Sequence, residues 1–146
     1  MINVGKLLQI KGNEVWNVHP DDTVFDAMKM MNEKGIGALP VLLEGGLIGM
    51  LSERDCARKV ILNDLPARET KVKALMTRQV YYTFPEQDVE VCLSIMSKHH
   101  IRHLPVVENE KVLGLIAMGD VVKEIIVEQR SKIDHLEHYI SWEESY

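Results

Sequence analysis

The chain is predicted to be an α+β protein: two β-α-β-β-α repeats packed about a pseudo-two-fold axis, plus a C-terminal helix. Three observations predict this. Sliding the sequence 65 residues along itself, without gaps, lays Val15 to Asp55 on Val80 to Asp120 with ten identities. These are Val15/Val80, Pro20/Pro85, Val24/Val89, Met31/Met96, Ile36/Ile101, Leu39/Leu104, Pro40/Pro105, Val41/Val106, Gly49/Gly114 and Asp55/Asp120. Within each repeat, apolar residues pass from helical spacing to short continuous runs bounded by turn residues. Beyond the second repeat, a seven-residue apolar spacing sets in. A duplication sets the unit of folding. Two like units with complementary faces make a paired module, and the cleft between them is a natural ligand site. The expected divisions are 1–64 for the first repeat with its N-terminal segment, 65–128 for the second with its connector, and 129–146 for the C-terminal extension.

The elements follow in order. A short strand is expected around Val15–Val18. Thr23 or Asp22 then caps a helix with Asp26 in its first turn. Val24, Ala27, Met28 and Met31 form its apolar stripe, and Gly35 stops it. Ala38–Leu43 and Leu47–Leu51 read as a hairpin turning at Glu44-Gly45-Gly46. Ser52 caps a second helix, about Glu53 to Leu62. The second repeat gives the same order from Val80 to about Val127, turning at Asn109-Glu110-Lys111. Residues 63–75, with Pro66, form the connector.

A length of 146 residues suits one compact domain made of two halves. The chain is 46% hydrophobic and 27% charged, as in ordinary globular proteins, and its net charge of −5 argues against nucleic acid as the main partner. No apolar run approaches the roughly 20 residues of a membrane helix. The start, MINVGKLLQIKGNE, has neither an apolar core nor a small-residue cleavage site, so no signal peptide is read. Cys56 and Cys92 are isolated, and Cys92 aligns with Ala27 on a face expected to be buried. A reduced, cytoplasmic setting follows.

The candidate site lies after the last strand of each repeat. Gly49-Met50-Leu51-Ser52-Glu53-Arg54-Asp55 matches Gly114-Leu115-Ile116-Ala117-Met118-Gly119-Asp120. Ser52-x-x-Asp55 on its own reads as a capping box. Ala117 cannot cap, yet Asp120 persists, and a carboxylate kept without its capping partner suits a ribose diol. The adjoining helix N-terminus favours a phosphate. The second strands differ: Ile36-Gly37-Ala38-Leu39-Pro40 against Ile101-Arg102-His103-Leu104-Pro105. Arg102 is either a solvated surface charge or a bidentate phosphate ligand. His99 and His100 suit a helix C-terminus, and the histidines lack metal-ligand spacing. Gly35-Ile36-Gly37 and Gly45-Gly46 read as a helix stop and a turn, and no GxxxxGK[ST] is present.

The duplicated units, the Leu-Pro-Val of each second strand and the Gly-φ-φ-Ser-x-x-Asp ending resemble a tandem CBS-domain pair, or Bateman module, over about residues 4–127. Ser-Glu-Arg-Asp, Ile-Arg-His-Leu-Pro-Val and Gly-Asp-Val-Val-Lys resemble the small stand-alone bacterial CBS-pair proteins, which also carry a C-terminal helix. The resemblance implies regulatory binding of an adenosine ligand: AMP, ADP, ATP, NAD(H) or S-adenosylmethionine. It implies that Asp55 and Asp120 hold ribose and that Ser52 contacts phosphate or ribose. Each site then joins one repeat's motif to the other's strands. Ser52, Arg54 and Asp55 would meet Met76, Thr77, Val80, Ile101, Arg102 and His103. Asp120 would meet Val15, Ile36 and Gly37 in a weaker second site, because Ala117 lacks the hydroxyl. Arg102 and His103 would lie near the shared centre. The resemblance also implies a homodimer.

In residues 121–141, Ile126, Ile133 and Ile140 are seven apart, as are Val122, Gln129 and Leu136, which makes a candidate dimer stripe. The function expected is a sensor that binds an adenine nucleotide, with no metal and no membrane or nucleic-acid partner. No nucleophile–base–orienter set is visible, so no enzyme is expected. The alternative is an interaction module with a vestigial cleft that engages itself or a regulated protein.

Overall fold

A computed structural model describes residues 2–12 and 14–144. The chain runs α1 (Val4–Lys11), α2 (Val24–Lys34), β1 (Ala38–Leu43), β2 (Gly46–Ser52) and α3 (Glu53–Leu62). It continues through α4 (Val72–Leu75), α5 (Val89–His99), β3 (His103–Glu108), β4 (Lys111–Ala117) and α6 (Met118–Glu144). The local signals act as their chemistry requires. Thr23 caps α2 by accepting the Asp26 N–H, and Gly35 ends it in the left-handed conformation. β1 pairs with β2 and β3 with β4, both antiparallel, and each hairpin has one bulge at the same place, between Val41/Leu42 and between Val106/Val107. The turn residues Glu44 and Gly45, and Asn109 and Glu110, have positive φ, as two-residue hairpin turns demand.

The strand expected around Val15–Val18 is reduced to a single parallel bridge, Val18 to Val41. Val18 donates to the Pro40 carbonyl (3.1 Å) and accepts from the Leu42 N–H (2.9 Å). The next ladder bond toward residue 16 would need an N–H on Pro40, which proline lacks. Thr83 repeats this beside Pro105, bonding to Pro105 (2.9 Å) and Val107 (2.8 Å). A proline in each Leu-Pro-Val therefore limits its own neighbouring strand.

Two cores form, and each draws on both halves of the sequence. One packs Val24, Ala27, Met31, Leu39, Val41, Leu51 and Cys56 with Val72 and Leu75 of α4. The other packs Val89, Cys92, Met96, Leu104, Val106, Ile116 and Val121 with Val4, Leu7 and Leu8 of α1. The helix that precedes each repeat thus completes the core of the other. Gly49 and Gly114 admit this exchange. A β-carbon there would lie 2.7 Å from Met76 Sδ and from Leu8 Cδ2 respectively. Truncating Leu7, which is 1% exposed, to alanine would cost about 2–5 kcal/mol. β2 and β4 meet at the junction of the repeats.

The second repeat's last helix and the C-terminal helix are one continuous α6. The side chains of the aromatic tail, 142–146, lie outside the described residues.

Candidate functional site

The site begins at the N-terminus of α3. Ser52 Oγ accepts the Asp55 N–H at 3.1 Å, and the Glu53 N–H donates to the Gly37 carbonyl at 2.9 Å. These bonds fix the helix start against the residue that precedes β1. In the second repeat, the Met118 N–H donates to the Arg102 carbonyl at 2.8 Å in the same way. The backbone thereby brings the motif of one repeat and the second-strand lead-in to a common centre.

A cavity of about 350 Å³ opens there. The first repeat supplies Gly37, Ala38, Met50, Ser52, Glu53, Arg54, Asp55 and Arg58 to its lining. The second supplies Thr77, Gln79, Val80, Tyr81, His100, Ile101, Arg102 and His103. Eight of the nine residues expected at the principal site are therefore gathered in one place. The ninth, Met76, lies instead against Gly49, where β2 leaves room for its sulfur. Thr77 is held to the β2 backbone by paired bonds with Met50, at 3.0 and 2.8 Å.

The second group is not gathered. Gly37 belongs to the cavity already described, with the His103 ring packed on its bare α-carbon at 3.1 Å from where a β-carbon would stand. Ile36 packs on the first core, Val15 is half-buried, and neither lines this cavity. Asp120 is engaged from within the chain. Its Oδ2 accepts from Lys11 Nζ at 2.6 Å and from the Ala117 N–H at 3.0 Å, and Lys11 also donates to the Leu115 carbonyl at 2.7 Å. The back-bond to Ala117 is the carboxylate half of a capping box. Asp120 thus has structural work even though Ala117 has no hydroxyl. The Asp55 carboxylate, by contrast, has no hydrogen-bond or ion-pair partner among the described residues.

The electrostatics favour an anion. Arg54, Arg58 and Arg102 face the cavity, against Glu53 and Asp55. Burial holds His103 below the usual imidazole range, and Lys11 and Arg102 add to this against the opposing pull of Asp120. Its ring is therefore a neutral hydrogen-bonding group.

Sequence reasoning missed Arg58, Gln79, Tyr81 and His100. His100 takes the left-handed helix cap that Gly35 takes in the first repeat, and Tyr81 stacks on His99 with centroids 3.8 Å apart. The signal that could have found His100 is the 65-residue offset, which lays it on Gly35, a histidine replacing a glycine at a helix stop. Both cysteines are buried, and burial pushes their thiols up, so they are poor nucleophiles. Among the described residues no group of His, Cys, Asp and Glu is placed to hold a metal, and no helix is long and apolar enough to cross a membrane.

Comparison with known proteins agrees with this geometry. The sequence pattern of the CBS domain matches residues 11–62 and 72–127. The CBS domain-containing protein CBSX3, mitochondrial, of Arabidopsis thaliana is 36% identical over 125 residues, covering 82% of this chain and 61% of its own length. This chain thus spans less than two thirds of that relative. A putative signal-transduction protein with CBS domains from Burkholderia ambifaria MC40-6 superposes with TM-score 0.83 at 41% identity, covering 87% of this chain and 96% of the other. The CBS domain pair of MJ0100, in complex with 5′-methylthioadenosine and S-adenosyl-L-methionine, shares the fold at TM-score 0.74 and 21% identity, covering 88% and 98%.

Proposed function

Because the chain belongs to the CBS-domain family, we propose that it is a non-catalytic regulatory module that binds an adenosine-containing nucleotide in the cavity between its repeats. The adenosine complexes of MJ0100 support the ligand class. The observation that carries the reading is the Asp55 carboxylate: an acceptor on a cavity wall, without an internal partner, beside guanidinium groups. In this reading Asp55 accepts from the ribose hydroxyls. Ser52, Arg54, Thr77 and Arg102 take phosphate oxygens, with the α3 N-terminus behind them. Val80, Ile101, Met50 and Tyr81 give the base an apolar seat.

A non-catalytic role is supported by the bonding of the lining. Ser52 Oγ is engaged with the Asp55 N–H, and no hydrogen bond links it to His100 or His103 among the described residues. Calorimetry with AMP, ATP, NAD(H) and S-adenosylmethionine, followed by chromatography of the ligand, tests the proposal. Sub-millimolar binding with the ligand recovered intact supports it. Absence of binding refutes the sensor reading, and steady conversion refutes the non-catalytic one.

Self-association belongs to the same reading. The α6 stripe of Ile126, Ile133, Leu136 and Ile140 is about half exposed. Its seven-residue period is the geometry by which a helix pairs with a copy of itself.

A further inference from the structure

We infer that the ligand of this cavity carries at least two linked phosphates and that Arg58 selects for them. This rests on the nucleotide reading of the cavity. Arg58 lies beyond the Ser-x-x-Asp motif, and nothing in that motif calls for it. It stands four residues after Arg54, one turn along the same face of α3, about 6 Å further along the axis. Across the cavity stands Arg102. The three guanidinium groups have no acceptor within the described chain. Arg68, outside the cavity, at least covers the Phe25 ring at 3.8 Å.

Three permanent positive charges around one small cavity repel one another unless an anion joins them. Glu53 and Asp55 offset two, and Asp55 is taken by ribose in the bound state. A single phosphate engages one bidentate fork and the helix N-terminus. That leaves Arg58, one turn away, with nothing to hold. A diphosphate, extended along α3 from its N-terminus, reaches both Arg54 and Arg58. A sulfonium ligand brings a further positive charge to the same cavity and is disfavoured. The shared chemistry is adenosine bearing a phosphoanhydride, whether a nucleoside di- or triphosphate or a dinucleotide.

Calorimetry at one ionic strength with AMP, ADP, ATP, NAD⁺, S-adenosylmethionine and inorganic pyrophosphate tests this on the full chain. At least one of ADP, ATP and NAD⁺ is expected to bind about tenfold or more tightly than AMP, the loss attached to one charge-assisted bond. Which of the three binds tightest separates mononucleotide from dinucleotide. Arg58→Ala, an exposed change with no core contact, is expected to bring the ratio to AMP near one. Lys29→Ala, which removes the same charge from the exposed face of α2, leaves it intact. AMP or S-adenosylmethionine binding as tightly as every phosphoanhydride overturns the inference, as does a ratio unchanged by Arg58→Ala. If no adenosine ligand binds but pyrophosphate binds and is lost in Arg58→Ala, the nucleotide reading fails and the linked-phosphate site stands. If pyrophosphate also fails to bind, both fall.

Discussion

Lys11 Nζ and Asp120 Oδ2 lie 2.6 Å apart, joining residues 109 positions apart in the chain. The repeat offset gives this contact its meaning. Lys11 is the counterpart of Met76, and Asp120 is the counterpart of Asp55. One half of the cleft therefore sets a thioether on the neighbouring strand and leaves its carboxylate open. The other half supplies an ammonium that takes the carboxylate and the Leu115 carbonyl together. The pseudo-symmetric fold is therefore asymmetric at its paired aspartates: a side chain on α1 engages one carboxylate, and none among the described residues engages the other.

Opposite effects of the two aspartate substitutions follow. Asp55→Ala is expected to remove most nucleotide binding. It leaves the melting temperature nearly unchanged, because Ser52 keeps its bond to the backbone N–H and the carboxylate has no internal partner. Asp120→Ala is expected to leave most binding in place and to lower stability by about 1–2 kcal/mol, from the lost back-bond at the start of α6 and the lost ion pair. Calorimetry and thermal melts on both variants read this out. Greater binding loss in Asp120→Ala than in Asp55→Ala would show that the principal site is the other half of the cleft. A Lys11→Met, Asp120→Ala double-mutant cycle should give a coupling of about 1 kcal/mol or less, since both side chains are about one third exposed.

Why the Lys11–Asp120 contact escaped the sequence is a matter of range. Thr23, Gly35, Ser52 and the hairpin turns act within four residues, so their roles were legible in the order of the chain. Eight residues that line one cavity came from the resemblance to the CBS pair, which implies that one repeat's motif meets the other's strands. Lys11 acts across almost the whole chain, and no local pattern distinguishes it from a solvated lysine ending a short helix. The exchange of α1 and α4 between cores was hidden similarly. Val4, Leu7 and Leu8 sit at helical spacing, but one apolar face does not say which repeat it covers. Nothing local separates Arg58 from an ordinary helix-surface charge; only the second repeat standing opposite makes it a cavity residue.

His103 gives the fold a pH dependence. Burial and the neighbouring Lys11 and Arg102 lower its pKa in the folded chain, and Asp120 only partly restores it. In the unfolded chain the imidazole titrates near 6.5. Below that pH the unfolded state binds more protons, so stability falls as pH drops through 6.5 and levels off under the folded pKa. Denaturant midpoints of the wild type and His103→Gln, measured from above to below pH 6.5, isolate this contribution from the other titrating groups. The wild type should lose more stability than the variant over that range. Equal losses would mean that His103 is protonated in the folded state as readily as in the unfolded one.

The second hairpin stores strain that the first avoids. Glu110 stands at φ +65°, where the first repeat has Gly45 at φ +82°. A side chain in the left-handed region costs about 1 kcal/mol, and Glu110 is exposed and without a partner that offsets it. Glu110→Gly should therefore stabilise the protein, by somewhat less than that cost because glycine is more disordered when unfolded. Urea unfolding measures the change. Unchanged or reduced stability would show that the turn relaxes around the glutamate at no cost.

The last prediction concerns α6. Val122, Ile126, Ile133, Leu136, Tyr139 and Ile140 remain exposed, and every side chain from 131 to 140 is exposed. The helix persists to Glu144, well past the last residue of the second core, Val121. An isolated helical extension of that length is marginal in water, because most helix stability comes from packing one face. Ile126, Ile133 and Ile140 would offer such a face to a second copy, and Lys132 and Glu128 pair at 3.8 Å along the same helix. Light scattering should report a dimer for the full chain and a monomer for a chain ending at Glu128. Ile133→Glu in the full chain should weaken the dimer while nucleotide affinity stays unchanged, since the cavity lies on α3 and the second-strand lead-ins. A full-length monomer refutes the pairing. A dimer indifferent to both changes moves the interface to the helices of the repeats.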